Sequence, residues 1–154
     1  MSDQEVIERV WPAPIELIWK LWTTKEELES WWGPGGFSVA IEDYELRPDG
    51  AFNYTMSASS PEMLAAMQSR GRPTSHSVKA TFSAVDAPNT LAWSAPFGPE
   101  TLSTSVSFLQ QSNAVKIVLT LTSTKEGSLG GPASGWRSSL DSFEKHLKNA
   151  LYSM

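Results

Sequence analysis

The spacing of apolar residues changes twice along this chain, and these changes constrain its fold more than any other feature. Ile15, Ile18, Trp19 and Trp22 recur at i, i+3, i+4 and i+7, one helical stripe with Glu16 and Lys20 off it. This predicts a helix over roughly 14–22, with Pro14 at the first position, where its missing N–H is tolerated. A second helix follows at once. Thr24 with Glu27 three residues on reads as a capping box, Leu28, Trp31 and Trp32 share a face, and Gly33-Pro34-Gly35-Gly36 stops the run. Before these helices, Glu5 to Val10 reads as a short strand ended by Trp11-Pro12-Ala13-Pro14.

After the glycines the period becomes two. Phe37, Val39 and Ile41 alternate with polar or small residues, as do Phe52, Tyr54 and Met56, with Arg47-Pro48-Asp49-Gly50 turning between them. Val78, Ala80, Phe82 and Ala84 form the next alternating set, then Leu91 to Trp93, Val106 with Phe108, and Val115 to Leu121. Five or six strands joined by short turns imply an antiparallel meander. The helical period returns in Trp136, Leu140, Phe143, Leu147 and Leu151, which predicts a long amphipathic C-terminal helix. The stretch between the strands near Ser57 and Thr74 is too long for a hairpin loop and carries Pro61, Met63, Leu64 and Met67 at helical spacing, so it reads as a short, lid-like helix. The expected fold is α+β: one domain spanning 1–154, with a curved antiparallel sheet wrapped around the terminal helix and a cavity left between them.

Composition narrows the function classes. With 12 Lys+Arg against 17 Asp+Glu the net charge is -5, opposite to a phosphate-binding footprint, so no nucleic-acid partner is expected. No apolar run approaches the length of a membrane span, and the first residues, Met1-Ser2-Asp3-Gln4-Glu5, lack a secretory signal, which predicts a cytoplasmic protein with no membrane partner. Zero cysteines and two separated histidines leave no metal site, and no cofactor is expected. Seven tryptophans, however, are many for 154 residues and point to a bulky core or an apolar pocket.

Several motifs together resemble a known family. Ala13-Pro14, Trp19, Trp22-Thr23, Trp31-Trp32-Gly33-Pro34, Leu46-Arg47-Pro48-Asp49-Gly50-Ala51-Phe52 and Gly135-Trp136 with Leu140 and Leu147 are similar to the activator-of-Hsp90-ATPase-homologue-like branch of the START-related (SRPBCC, helix-grip) superfamily. The likeness runs over essentially the whole chain. It implies the helix-grip fold, on which lipid carriers, hormone receptors, polyketide cyclases and chaperone-linked domains are all built. The Pro61–Pro73 segment departs from the resemblance, being longer and richer in Met than the usual hairpin there.

The candidate cavity residues are Trp32, Phe37, Phe52, Tyr54, Met56, Met63, Met67, His76, Phe82, Trp93 and Trp136. Trp31 and Trp32 diverge by about 100° on a helix, so one is expected in the core and the other at the cavity mouth; the plain alternative is two core tryptophans. Met63 and Met67 suit a pliable gate, the plain alternative being a packed excursion of the chain. His76 shares a face with Val78, Ala80 and Phe82 and is the one weak candidate for a general base or ligand partner; the plain alternative is a strand-end histidine near solvent. His146 is expected to be exposed and structural, and Asp43, Glu45 and Arg47 to line a solvated strand end. The readings left open are a module binding a hydrophobic or aromatic small molecule, a chaperone-linked interaction protein, and a cyclase- or hydrolase-like enzyme using the same cavity. A second copy of the chain stays open as a partner beside them.

Overall fold

The computed structural model describes residues 3–33, 36–97, 99–125, 127 and 129–152. In order, the elements are β1 (Asp3–Trp11), α1 (Ile15–Thr23), α2 (Lys25–Trp31), β2 (Phe37–Tyr44), β3 (Ala51–Ala58), α3 (Pro61–Ser69), β4 (Ser75–Asp86), β5 (Thr90–Phe97), β6 (Glu100–Gln110), β7 (Val115–Ser123) and α4 (Gly130–Tyr152). The α+β architecture is the one the periodicity predicts. All neighbouring strands are antiparallel, in the order β1-β7-β6-β5-β4-β3-β2, so β2 to β7 form the meander and β1 closes on β7. No helix among the described residues is long and apolar enough to cross a membrane.

The inward faces of the strands and the helices bury each other. Phe52, Phe82, Phe108, Ile117, Leu119 and Leu121 of the sheet and Leu140 and Phe143 of α4 are almost completely enclosed. α1 also enters this layer, because its stripe puts Ile18 and Trp22 at 0% exposure. Trp22 lies 5.8 Å from Trp136 in a stacked pair and meets Phe108 edge-on at 5.5 Å. Such contacts add to the stabilisation from burial.

Both edge strands are covered or charged, which guards them against pairing with another chain. At β1, Arg137 of α4 bonds Glu5, while Arg9 bonds Asp141 and Glu144. Burial alone lowers the Arg9 pKa, but those two carboxylates outweigh it and the net shift is upward. At β2, the Glu29 carboxylate of α2 accepts the Ile41 backbone N–H at 2.7 Å.

Four local expectations are corrected. Pro14 is the N-cap of α1, one residue before the helix starts, and its carbonyl accepts from Ile18 N–H. Thr24 caps α2 without a side-chain bond, so the capping box does not form. Glu27 instead bonds His146 at 2.7 Å, which draws His146 into a half-buried position rather than an exposed one. Finally, the β4–β5 register shifts between Phe82 and Ala84, so the next residue packed on the core is Val85, opposite Leu91, and not Ala84. A bulge inserts one residue and so exchanges the faces beyond it.

Candidate functional site

α4 and the sheet do not meet along their whole length. Near the start of α4 they diverge around a cavity of about 350 Å³, open at one side, lined by Trp32, Tyr54, Met56, His76, Val78, Ala95, Pro96, Leu102, Gly131, Pro132, Gly135, Trp136 and Ser139. The volume is at the lower end of the range for small-molecule sites.

Each wall follows from the local sequence. Tyr54 and Met56 of β3 pair with Val78 and His76 of β4, so these four inward side chains form one patch. Ala95 on β5 pairs with Leu102 on β6 and extends that patch. From α4, Gly131, Pro132 and Gly135 offer little side-chain volume, and Trp136 closes the inner end. Trp32 is held at the α2 terminus by Gly33, whose φ of +130° suits glycine and whose N–H donates to the buried Ser139 hydroxyl at 3.2 Å. A Cβ at Gly33 would sit 3.0 Å from the Phe37 carbonyl oxygen. Trp32 then lies 5.8 Å from Trp136 in a stacked pair and 4.6 Å from Tyr54.

Trp31 and Trp32 are both core residues, 3% and 7% exposed, and Trp32 reaches the cavity from its inner end rather than standing at its mouth. Trp31 is a core residue that donates its indole N–H to the Leu21 carbonyl and meets Phe143 edge-on. Trp32 is the cap residue beyond the helix, with ψ 136°, so the break in the backbone, rather than helical rotation, separates the two rings.

Five of the residues singled out from sequence meet at this cavity: Trp32, Tyr54, Met56, His76 and Trp136. Phe52, Phe82 and Trp93 share the inward face but lie deeper, around an interior crevice of about 10 Å³, room for at most about one water. They form a packed floor, with Phe52 and Phe82 stacked at 4.9 Å and Trp93 edge-on to Phe52 at 5.3 Å. Phe37, Met63 and Met67 are not in the lining. Phe37 begins β2 opposite Ala58. Met63 packs on the backbone at Gly36, where an added Cβ would meet it at 3.3 Å. α3 buries none of its residues fully, and neither of its methionines is among the residues lining the cavity.

Sequence reasoning missed Ala95, Pro96, Leu102, Gly131, Pro132, Gly135 and Ser139. Their usable signal is small size: Gly131, Pro132, Gly135 and Ser139 fall where the helix stripe is otherwise large.

Electrostatically the cavity is apolar with few polar groups. Burial raises the Tyr54 phenol pKa to about 12, so it stays a neutral hydroxyl at physiological pH. His76 stands exposed at the rim beside Met56, and no hydrogen bond or ion pair to a carboxylate is found for it among the described residues. Asp43, Glu45 and Arg47 lie outside: Asn53 donates to Asp43, and Glu45 is bonded by Arg47 at 3.0 Å. The Ala51 N–H and then Arg47 hold the Glu45 carboxyl below its usual pKa. A second hollow of about 420 Å³ lies towards the other end of α4, lined by Leu17, Lys20, Leu21, Glu27, His146 and neighbouring residues, and is more open and more charged. No group of three or more metal-ligating side chains is found among the described residues.

Residues 12–148 match the family described as "Activator of Hsp90 ATPase homolog 1-like protein". No curated protein matches the chain significantly in sequence. Among solved structures, a protein from Nitrosomonas europaea superposes with a TM-score of 0.78 at 20% identity, covering 97% of this chain and 96% of that one. A protein from Chromobacterium violaceum gives 0.75 at 17% identity, covering 90% and 92%. An AHSA1-like protein from Aeromonas hydrophila gives 0.75 at 19% identity, covering 96% and 94%. At these identities the structural likeness speaks for the fold, and the family match covers most of the sequence. The chain belongs to the Activator of Hsp90 ATPase homolog 1-like family.

Proposed function

We propose that this protein binds a hydrophobic or aromatic small molecule in the cavity between the sheet and the start of α4. The observation that carries the reading is the cavity of about 350 Å³ with a predominantly apolar wall. Buried apolar area contributes about 25 cal/mol per Å², and the Trp32 and Trp136 rings supply rigid faces for an aromatic or aliphatic body. The packed floor of Phe52, Phe82 and Trp93 sets the depth. His76, Tyr54 and Ser139 offer a few polar groups to orient the occupant.

The test is titration with the neutral fluorophore N-phenylnaphthylamine, followed through its own emission and through quenching of Trp32 and Trp136. Saturable binding is expected for the wild type. Ala95→Phe, which puts a ring into the cavity from β5, is expected to weaken it by about tenfold or more while the fold is retained, since the loss of one well-filled apolar site amounts to more than about 1.4 kcal/mol. Absence of saturable binding, or binding indifferent to Ala95→Phe, overturns the reading. Native mass spectrometry of freshly purified protein then identifies any retained molecule. Pull-down of an ATPase chaperone by both the wild type and the cavity-filled variant, with no small molecule bound by either, would favour an interaction module instead. Chemical conversion of the bound molecule, lost in His76→Ala, would favour an enzyme.

A further inference from the structure

The charge distribution around this cavity suggests more than a preference for apolar bodies. The chain carries 17 carboxylate side chains against 12 Lys+Arg, yet no Asp or Glu occurs among the described residues lining the cavity. The carboxylates of α4 lie on a different side of that helix, where Asp141 and Glu144 bond Arg9. Of those of β1, Glu5 bonds Arg137, Glu8 bonds Lys116 and Asp3 accepts the Gly127 N–H. Among the described lining residues the one ionisable base is His76, which is exposed at the rim, engaged by no carboxylate among the described residues and on the same inward face as Tyr54, Met56 and Val78. Tyr54 and Ser139 add neutral hydroxyls.

Resting on the binding role proposed above, we infer that the cavity takes an amphiphile with an apolar body and an anionic, carboxylate-type end, the body lying between Trp32, Trp136 and the Ala95–Leu102 wall and the carboxylate meeting His76 at the rim. An ammonium end meets no counter-charge among the described lining residues, so its burial there is uncompensated. A purely apolar ligand fills the same space and leaves His76 to water. A carboxylate gains a hydrogen bond from the imidazole, charge-assisted on at least one side. The first turn of α4, with no acidic residue among those described, presents the positive end of the helix dipole to the same space and adds to this preference.

The experiment displaces N-phenylnaphthylamine at neutral pH with three probes sharing one ring system: naphthoate, naphthalene and naphthylmethylammonium. Naphthoate is expected to bind tightest and the ammonium at least about tenfold more weakly than naphthalene, the direction set by uncompensated burial of charge. In His76→Leu, naphthoate affinity is expected to fall by about three- to tenfold, the range for one hydrogen bond, with naphthalene changed less than about twofold. His76 is exposed, so its replacement leaves the core intact, and an unchanged melting curve verifies this. If the three probes displace the fluorophore equally well, if the ammonium is the best of them, or if His76→Leu leaves the naphthoate-to-naphthalene ratio unchanged, the inference is overturned while the cavity reading stands. If the fluorophore itself does not bind, the binding role fails and this inference falls with it.

Discussion

Replacing Phe143 by alanine tests whether the sheet grips α4. The ring is 0% exposed and lies 4.6 Å from Trp11, 4.8 Å from Trp31 and 5.7 Å from Trp22, so it touches β1, α1 and α2 at once. Removing a buried phenylalanine costs about 3–5 kcal/mol, because the lost transfer free energy is joined by that of the hole left behind. The three tryptophan rings around it cannot collapse into such a hole without leaving their rotamers, which favours the upper half of that range. A domain is stable by roughly 5–15 kcal/mol in all, so the variant should be marginal but folded. For a chain of this size the melting temperature should fall by roughly 6–20 °C, at about 2–4 °C per kcal/mol. The assay is urea unfolding followed by tryptophan fluorescence, with Tyr152→Ala as a control at a 90% exposed site of the same helix, expected within about 0.5 kcal/mol of wild type. A Phe143→Ala loss below about 1 kcal/mol at an unchanged denaturant slope would refute the packing argument.

Gly50 is the tightest backbone approach in the turn before β3, since a Cβ there would lie 2.1 Å from the Glu45 carbonyl oxygen. Gly50→Ala should therefore cost more than about 2 kcal/mol, whereas Gly130→Ala, in open space, should cost nothing measurable. Equal effects in thermal unfolding would contradict this account of the turn. Glu29→Ala removes the carboxylate that accepts the Ile41 N–H at the β2 edge and should destabilise by about 1.5–3 kcal/mol, with faster hydrogen exchange at that amide; unaltered exchange would mean that the edge is protected by something else. Burial raises the pKa of both Tyr44 and Tyr54, the latter to about 12, so each is favoured as the protonated phenol in the folded state. The resulting contribution is fully present below the unfolded tyrosine pKa of about 10 and is lost as the pH rises from there through the folded value. An ultraviolet titration should accordingly show fewer than three tyrosines ionising near pH 10, and ionisation of all three there without unfolding would sink the argument.

The elements legible in the sequence are those whose signal is a period. β2 to β7 alternate, α1 and α4 carry stripes, and each of these appears close to its expected place. What a period cannot convey is an insertion of one residue or a partner far along the chain. The bulge after Phe82 exchanges Ala84 for Val85 on the core, with no local mark in the residues. The Thr24–Glu27 spacing satisfies the capping pattern, yet Glu27 bonds His146, a competitor 119 residues away that only the folded helix pair brings near. The cavity residues divide for a related reason. Alternation tells which face a side chain takes, so Phe52, Phe82 and Trp93 are correctly inward, but it does not tell how far along the strand α4 begins to lift away.

That lift-off is set by side-chain volume along one helix face. Towards its C-terminus α4 presents Leu140, Phe143 and Leu147, each almost fully enclosed by its neighbours. Towards its N-terminus the same helix presents Gly131, Pro132, Gly135 and Ser139, facing Ala95 and Pro96 across the gap, and atoms to fill it are lacking. Trp136 stands at the boundary, stacked on Trp22 on the core side and on Trp32 at the cavity, so one ring closes the packed region and forms the end wall of the cavity. The cavity is therefore a consequence of small residues held apart by a rigid aromatic stack. A side chain added at Gly135 or Ala95 fills it, while a side chain removed from the stack lets it collapse.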